Sequence, residues 1–289
     1  MIACDLGSNT FRVVEIDCET KERVREFEKI VKTAEGSVHS GKINDEAVER
    51  VISAIHEAKE LFDLKDAKAV ATAAMRKATN SDEVLSLIFK ETGLMIEIID
   101  GKKEAYYVRK AIEVYVEDDY IIMDLGGGST ELILKEDDKS FDVGIVTIVD
   151  KYSLSNIEEG IEKEFEFIKE FAKSAEQPKT FVATAGTPTT VAAFLKGMDY
   201  NHYDHKKING MILTIEQIDS ALLQLLEMSE DERIRWVGAG RDDLIIAGIL
   251  MFKKIVEIFG FSDVLVIDDG LREGVAFGMC DSSASSYIS

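Results

Sequence analysis

Two short runs of this sequence place a carboxylate just before a turn of small residues. One is Asp5-Leu6-Gly7-Ser8-Asn9-Thr10, and the other is Asp124-Leu125-Gly126-Gly127-Gly128-Ser129-Thr130. A turn without bulky side chains lets successive N–H groups converge on one oxygen-rich ligand. The hydroxyls of Ser8, Thr10, Ser129 and Thr130 can add to that set. Phosphate suits such a cradle. The leading carboxylates, Asp5 and Asp124, stand at strand ends, where each could hold Mg²⁺ directly or through water. Mg²⁺ commonly shares its shell with phosphates. A third small-residue stretch, Thr184-Ala-Gly-Thr-Pro-Thr-Thr190, ends a strand and opens a helix, whose free N–H groups also favour an anion. One such turn alone is more often an ordinary hairpin. Two copies 119 positions apart, each with its Asp, favour phosphate.

Each copy must be carried by a scaffold, and the scaffold repeats as well. After each turn come two further strand-like runs and then helical periodicity. The natural division is 1–117 and 118–289, with the acidic break Glu117-Asp118-Asp119 between the two parts. The expected fold is α/β, with two ribonuclease-H-like domains around an interdomain cleft and the two turns facing across it. In the first domain the spacing predicts a helix from Asn44, with Val48, Val51, Ile52, Ile55 and Leu61 on its inner face. A strand over 67–71, a helix from Ser81, a strand over 94–99 and a helix over 102–116 follow. In the second domain strands are expected over 120–124, 131–135 and near 141–146, with helices to about 175 and a strand over 181–185. Thr214-Ile-Glu-Gln217 has capping-box spacing. An apolar helix over 242–259, a strand over 264–267 and a short helix over 271–279 complete the pattern, the last expected to pack back on the first domain.

Composition narrows the function classes. The 289 residues hold 34 Lys and Arg against 55 Asp and Glu, a net charge of −21. Such a field repels nucleic-acid phosphates and anionic membrane surfaces, while leaving room for a local phosphate pocket. The longest apolar stretch, Leu244 to Phe252, is too short for a membrane span. The charge and the short apolar stretch lead to the expectation of no nucleic acid and no membrane partner, and with no targeting segment recognisable a cytoplasmic location is expected. Three cysteines without a CxxC pair read as reduced thiols. His202-x-x-His205 reads as a polar loop, and Trp236 as a packing residue.

Read together, these residues resemble the exopolyphosphatase / guanosine-pentaphosphate phosphohydrolase (Ppx/GppA) family of the actin–Hsp70–sugar kinase superfamily. The matching segments are Asp5-Leu-Gly-Ser-Asn-Thr-Phe-Arg12, Ala71–Asn80, Ile98-Ile-Asp-Gly-Lys-Lys-Glu-Ala105, Asp124–Glu131, Ala185-Gly-Thr187, Gly240-Arg-Asp242 and Asp268–Gly274. They run in family order along nearly the whole chain. The resemblance implies Mg²⁺-dependent release of terminal phosphate from polyphosphate, or of the 5′ phosphate of pppGpp. It implies a catalytic role for Glu104 and, for Asp124 and Glu131, places around the metal and the attacking water. It implies phosphate contacts from Arg76 and from the turn residues Gly7, Ser8, Asn9, Gly127, Gly128, Ser129 and Gly186. The reading of the turns themselves adds Asp5 to the metal set and Thr10, Arg12, Gly126 and Thr187 to the phosphate set. The partners it implies are polyphosphate or guanosine pentaphosphate, with a homodimer left open. The chain departs from the family at Asp100 and at Lys103, where relatives often carry Ser and Glu, and a short form with only the two actin-like domains, without the C-terminal helical extension of many members, is expected.

Phosphoanhydride hydrolysis needs an in-line water, a carboxylate to take its proton, and positive charge around the phosphoryl group. Glu104 is the expected base, with Lys103 beside it as a charge that could favour its ionised form. Arg76 and Arg12 suit bidentate phosphate contact, or surface ion pairs in so acidic a protein. Lys102, Lys103, Arg109 and Lys110 read either as a landing strip for a polyanion or as a salt-bridged helix face. Two other classes compete: a small-molecule kinase of the same superfamily, and a non-enzymatic nucleotide-responsive module.

Overall fold

A computed structural model describes residues 1–117, 119–135 and 137–286. Of the acidic break, Asp118 lies outside the described residues, as do the last three residues of the polar tail. The chain divides into two compact units. The first is Met1–Val114 together with the chain from Asp269 onward, and the second runs from Tyr115 to Asp268.

The first unit is built on a five-stranded sheet ordered β3-β2-β1-β4-β5. Its strands are β1 (Ile2–Leu6), β2 (Thr10–Ile16), β3 (Arg23–Ile30), β4 (Lys68–Ala71) and β5 (Ile96–Ile98). β1, β2 and β3 pair antiparallel, whereas β4 and β5 run parallel to β1. β1 lies at the centre and is buried on both faces, so it reads as an apolar run rather than an alternation. β3 is an edge strand whose charged residues discourage pairing with another chain. Helices α1 (Ser37–Ser40), α2 (Asp45–Leu61), α3 (Ala73–Lys77), α4 (Ser81–Thr92) and α5 (Gly101–Ile112) follow. The Asn44 side chain caps α2 by accepting from the Ala47 N–H at 2.7 Å. Val48, Val51 and Ile55 are buried on its inner face, whereas Ile52 is half-buried and Leu61, the last residue of the helix, is exposed.

The second unit repeats the plan. β6 (Tyr120–Leu125), β7 (Thr130–Ile133) and β8 (Asp138–Phe141) form the antiparallel half, and β9 (Thr180–Thr184) runs parallel to β6. β11 (Asp263–Val266) extends the parallel half, and β10 (Met211–Thr214) closes the edge antiparallel to it. The helices are α6 (Ile145–Lys151), α7 (Ile157–Glu164), α8 (Glu166–Ser174), α9 (Gly186–Leu195), α10 (His205–Ile208), α11 (Ile215–Glu227), α12 (Glu230–Val237) and α13 (Ile245–Ile258). The capping box forms as its spacing predicts, with Gln217 and Thr214 exchanging side-chain and backbone bonds. One expectation fails here. The run near 141–146 is a strand only to Phe141, and α6 begins at Ile145. A short β-branched apolar run has no readable period, and the extended Gly144 before it starts a helix instead. β10 carries no clear sequence signal, whereas α12 begins at a second capping box, Ser229 with Glu232, that the expected pattern did not include.

The final helix, α14 (Leu271–Ser286), belongs to the first unit and is longer than its sequence pattern suggested. It lies across α5, so closely at Gly274 that a Cβ there would overlap the Tyr107 carbonyl. A buried charge network ties it to β3. Arg23 bonds Asp269 at 2.5 Å and Glu26 at 2.7 Å, and Arg272 bonds Glu273 at 2.6 Å and Glu26 at 2.7 Å. Arg272 is therefore a packing residue.

The cysteines correct the reading of reduced thiols. Cys18, in the β2–β3 turn, is disulfide-bonded to Cys280 in α14, with Cα atoms 5.3 Å apart. A separation of 262 positions hides such a pair from local motif reading. Reduction, or Cys18→Ser, is expected to destabilise the protein by about 2–4 kcal/mol, because the bridge restricts the unfolded chain. Thermal unfolding with and without reductant tests this, and an unchanged Tm would reject it. Among the described residues no helix is long and apolar enough to cross a membrane.

Candidate active site

In an α/β sheet the carboxyl ends of parallel strands collect ligand-binding loops. β1, β4 and β5 lie side by side, so the segments that follow them share one edge. After β1 comes the first turn, after β4 comes α3 with Arg76, and after β5 comes α5 with Glu104. The same edge of the second unit gathers the second turn after β6 and the 184–187 stretch after β9.

The two turns are built alike. Gly7 N–H donates to Thr10 O at 2.9 Å, and Gly126 N–H to Ser129 O at 3.0 Å. Ser8, Thr10, Ser129 and Thr130 are all buried. Thr130 donates its hydroxyl to Val143 O at 2.6 Å, so that oxygen is already committed to the fold. The register repeats too, with one telling change. Asp5 faces Arg12 across β1 and β2, whereas Asp124 faces Glu131 across β6 and β7. Opposed carboxylates on neighbouring strands repel each other. The donor set Asp124 and Glu131 therefore fits a divalent cation on its chemistry, and Glu131 also accepts from Ser140 Oγ at 2.7 Å. Asp5, opposite a guanidinium, has less need of one. Arg12 itself donates to Glu28 at 2.8 Å, the surface ion pair that its residue type also allowed.

Glu104 stands in the first turn of α5, whose N-cap is Asp100 accepting from the Lys103 N–H at 2.8 Å. The carboxylate is only 6 % exposed. Its cation is Arg76, whose Nη1 lies 2.6 Å from Glu104 Oε2 and also donates to Ile99 O at 2.8 Å. Lys103 pairs instead with Glu97. That overturns the idea of Lys103 as the charge beside the base, because helix neighbours point about 100° apart. Lys110 is likewise taken, by Asp281. An opposite charge at hydrogen-bond distance favours the ionised carboxylate.

The third stretch carries visible strain. Ala185 has φ 75° and ψ −176°, a region that only glycine enters readily. Thr189 donates its hydroxyl to Ala185 O at 2.9 Å and holds the bend. Thr187 packs its side chain against Gly248 of α13. Ala185→Gly should relieve more strain than it adds in unfolded-chain freedom, raising Tm by about 2–4 °C. A lowered Tm in calorimetry would contradict this.

Other groups are set aside by their surroundings. Burial and the adjacent Asp5 push the Cys4 thiol up to about 12, which rules it out as a thiolate nucleophile. His202 is exposed and bonds Asp199 at 2.6 Å. No group of three metal-ligating side chains occurs among the described residues. Trp236 packs edge-on against Phe194 at 5.1 Å between centroids. Sequence reading missed the segments that back the turns, Val31–Ala34 and Gly144–Val146, since their contribution is backbone N–H groups that no side-chain motif reports.

The Ppx/GppA phosphatase family matches residues 13–283. A bifunctional 3-dehydroquinate synthase/phosphatase of Fusobacterium nucleatum is 29% identical over 306 residues, covering 95% of this chain. The chain spans 46% of the length of that relative. The Aquifex aeolicus PPX-GPPA enzyme structure is 31% identical with TM-score 0.76, covering 96% of this chain and 98% of that one. A Cytophaga hutchinsonii exopolyphosphatase structure shares the fold, with 21% identity, TM-score 0.85 and 97% of both chains covered. The chain belongs to the Ppx/GppA phosphatase family.

Proposed function

We propose that this protein is a phosphoanhydride hydrolase that releases terminal phosphate from inorganic polyphosphate. The 5′ phosphate of pppGpp is the second substrate of the proposal, and Mg²⁺ its metal. One observation carries the reading. A buried carboxylate, Glu104, is held at 2.6 Å by Arg76 on the same sheet edge as a phosphate-type turn. In the reaction the oxygen of water bonds to the terminal phosphorus while its proton passes to Glu104. The bridging P–O bond breaks, and its electron pair leaves with the shortened chain. Arg76 aims the Glu104 carboxylate before the proton arrives. The turn N–H groups orient the phosphoryl oxygens and stabilise their growing charge. Asp124 and Glu131 are the residues that would hold Mg²⁺, which when bound neutralises phosphate charge.

The family's phosphatase description supports hydrolysis over a kinase or a non-enzymatic module. The test is phosphate release from polyphosphates of graded length and from pppGpp, with and without Mg²⁺. Release from neither substrate would end the proposal. ADP formed from ATP and an alcohol, without free phosphate, would move the protein to the kinases.

A further inference from the structure

We propose that the segment Gly144–Ile145–Val146 is a positioning strap that aims the second turn at its ligand. The inference rests on the reading of that turn as a phosphate cradle. Ile145 N–H donates to Gly126 O at 3.1 Å, and Val146 N–H to Gly127 O at 2.8 Å. These are the first N–H groups of α6, which a helix cannot satisfy internally. The helix start gives them to the turn rather than to a ligand. A peptide unit is planar, so its C=O and the following N–H point in opposite directions. Tying down the carbonyls of Gly126 and Gly127 thus turns the N–H groups of Gly127 and Gly128 away from α6. Gly144 permits the approach, since a Cβ there would lie 2.6 Å from Gly127 C, Gly127 O and Ser129 N.

The first unit holds its own turn in the same way. Ala34 N–H donates to Ser8 O at 2.8 Å, and the N–H groups of Val31 and Lys32 both donate to Asn9 O at 2.9 Å. Ser8 and Gly127 occupy equivalent positions of the repeat, 119 apart. The backing segments share no sequence pattern, yet both engage that carbonyl. A device built twice from unrelated residues points to a requirement of the turn and not of local packing.

Ile145→Pro removes one strap bond cleanly. Proline is at home in the first helical position, and Gly144 (φ −144°, ψ 176°) already has the extended backbone a proline demands of its predecessor. Ile145→Ala is the control for the lost side chain. We expect similar Tm values for the pair. Amide exchange at Gly127 and Gly128 should be ~10-fold faster in the proline variant than in the alanine one. The kcat for polyphosphate should be ~10-fold lower in the proline variant, the scale of one hydrogen bond. Equal exchange at the turn in both variants overturns the strap, whatever the activity. Failure of the wild type to release phosphate overturns the proposed function instead. If Ile145→Pro does not fold, Val146→Pro against Val146→Ala removes the second bond and is read in the same way.

Discussion

Glu104→Gln is expected to lower kcat for polyphosphate by at least ~100-fold, the scale of losing a positioned general base. The amide keeps an oxygen for Arg76 Nη1, so the 2.6 Å contact and the fold should survive, and KM should change little. Glu104→Ala should lose as much activity and also cost about 1–3 kcal/mol of stability, because it leaves Arg76 half-buried without its carboxylate. The comparison separates chemistry from folding: both variants fail in turnover, and only alanine loses Tm. Undiminished kcat in the glutamine variant would remove Glu104 from the reaction. Arg76→Ala should lower kcat by a smaller factor, with partial recovery in Arg76→Lys, which retains charge but not the rigid guanidinium plane that sets Nη1 between Glu104 and Ile99 O.

Gly274→Ala is expected to be the most damaging single-methyl change in the first unit. The added Cβ would overlap the Tyr107 carbonyl oxygen and lie 2.5 Å from its carbon. Both are backbone atoms of α5, and neither can swing aside as a side chain can. The helices must part, at a cost of about 3 kcal/mol or more, the upper range for overpacking. For a chain of this size that is a fall in Tm of roughly 6–12 °C. Activity should fall with it, since Glu104 lies one turn before Tyr107 on the same helix. Gly278→Ala is the matched control. Its Cβ would meet only the edge of the Tyr107 ring, at 3.2 Å, and a ring can shift a few tenths of an ångström. If the two variants melt together, the close approach at Gly274 is not what seats α14.

Much of the fold was legible because its signals are local. The duplicated Asp-Leu-Gly turn marks two strand–turn–strand starts, and the carboxylate and glycine positions follow from it. Helix starts at Asn44 and Thr214 were readable from capping residues alone. The short apolar run that became α6 was not, since a handful of β-branched residues suits strand or helix until packing decides.

The charge partners were invisible for a related reason. Glu104 and Lys103 adjoin in the chain, but helical geometry sends Lys103 to Glu97 and brings Arg76 from 28 positions away. The Cys18–Cys280 bridge, the seating of α14 and the backbone strap behind the second turn likewise join segments far apart in the chain. Residue types and their spacing determined which groups could do chemistry, because a turn, a cap or a carboxylate is a property of a few consecutive residues. Only the tertiary structure decided which charge faces which, and which N–H is aimed where, because those contacts exist once the parallel strands lie side by side and bring their loops to one edge.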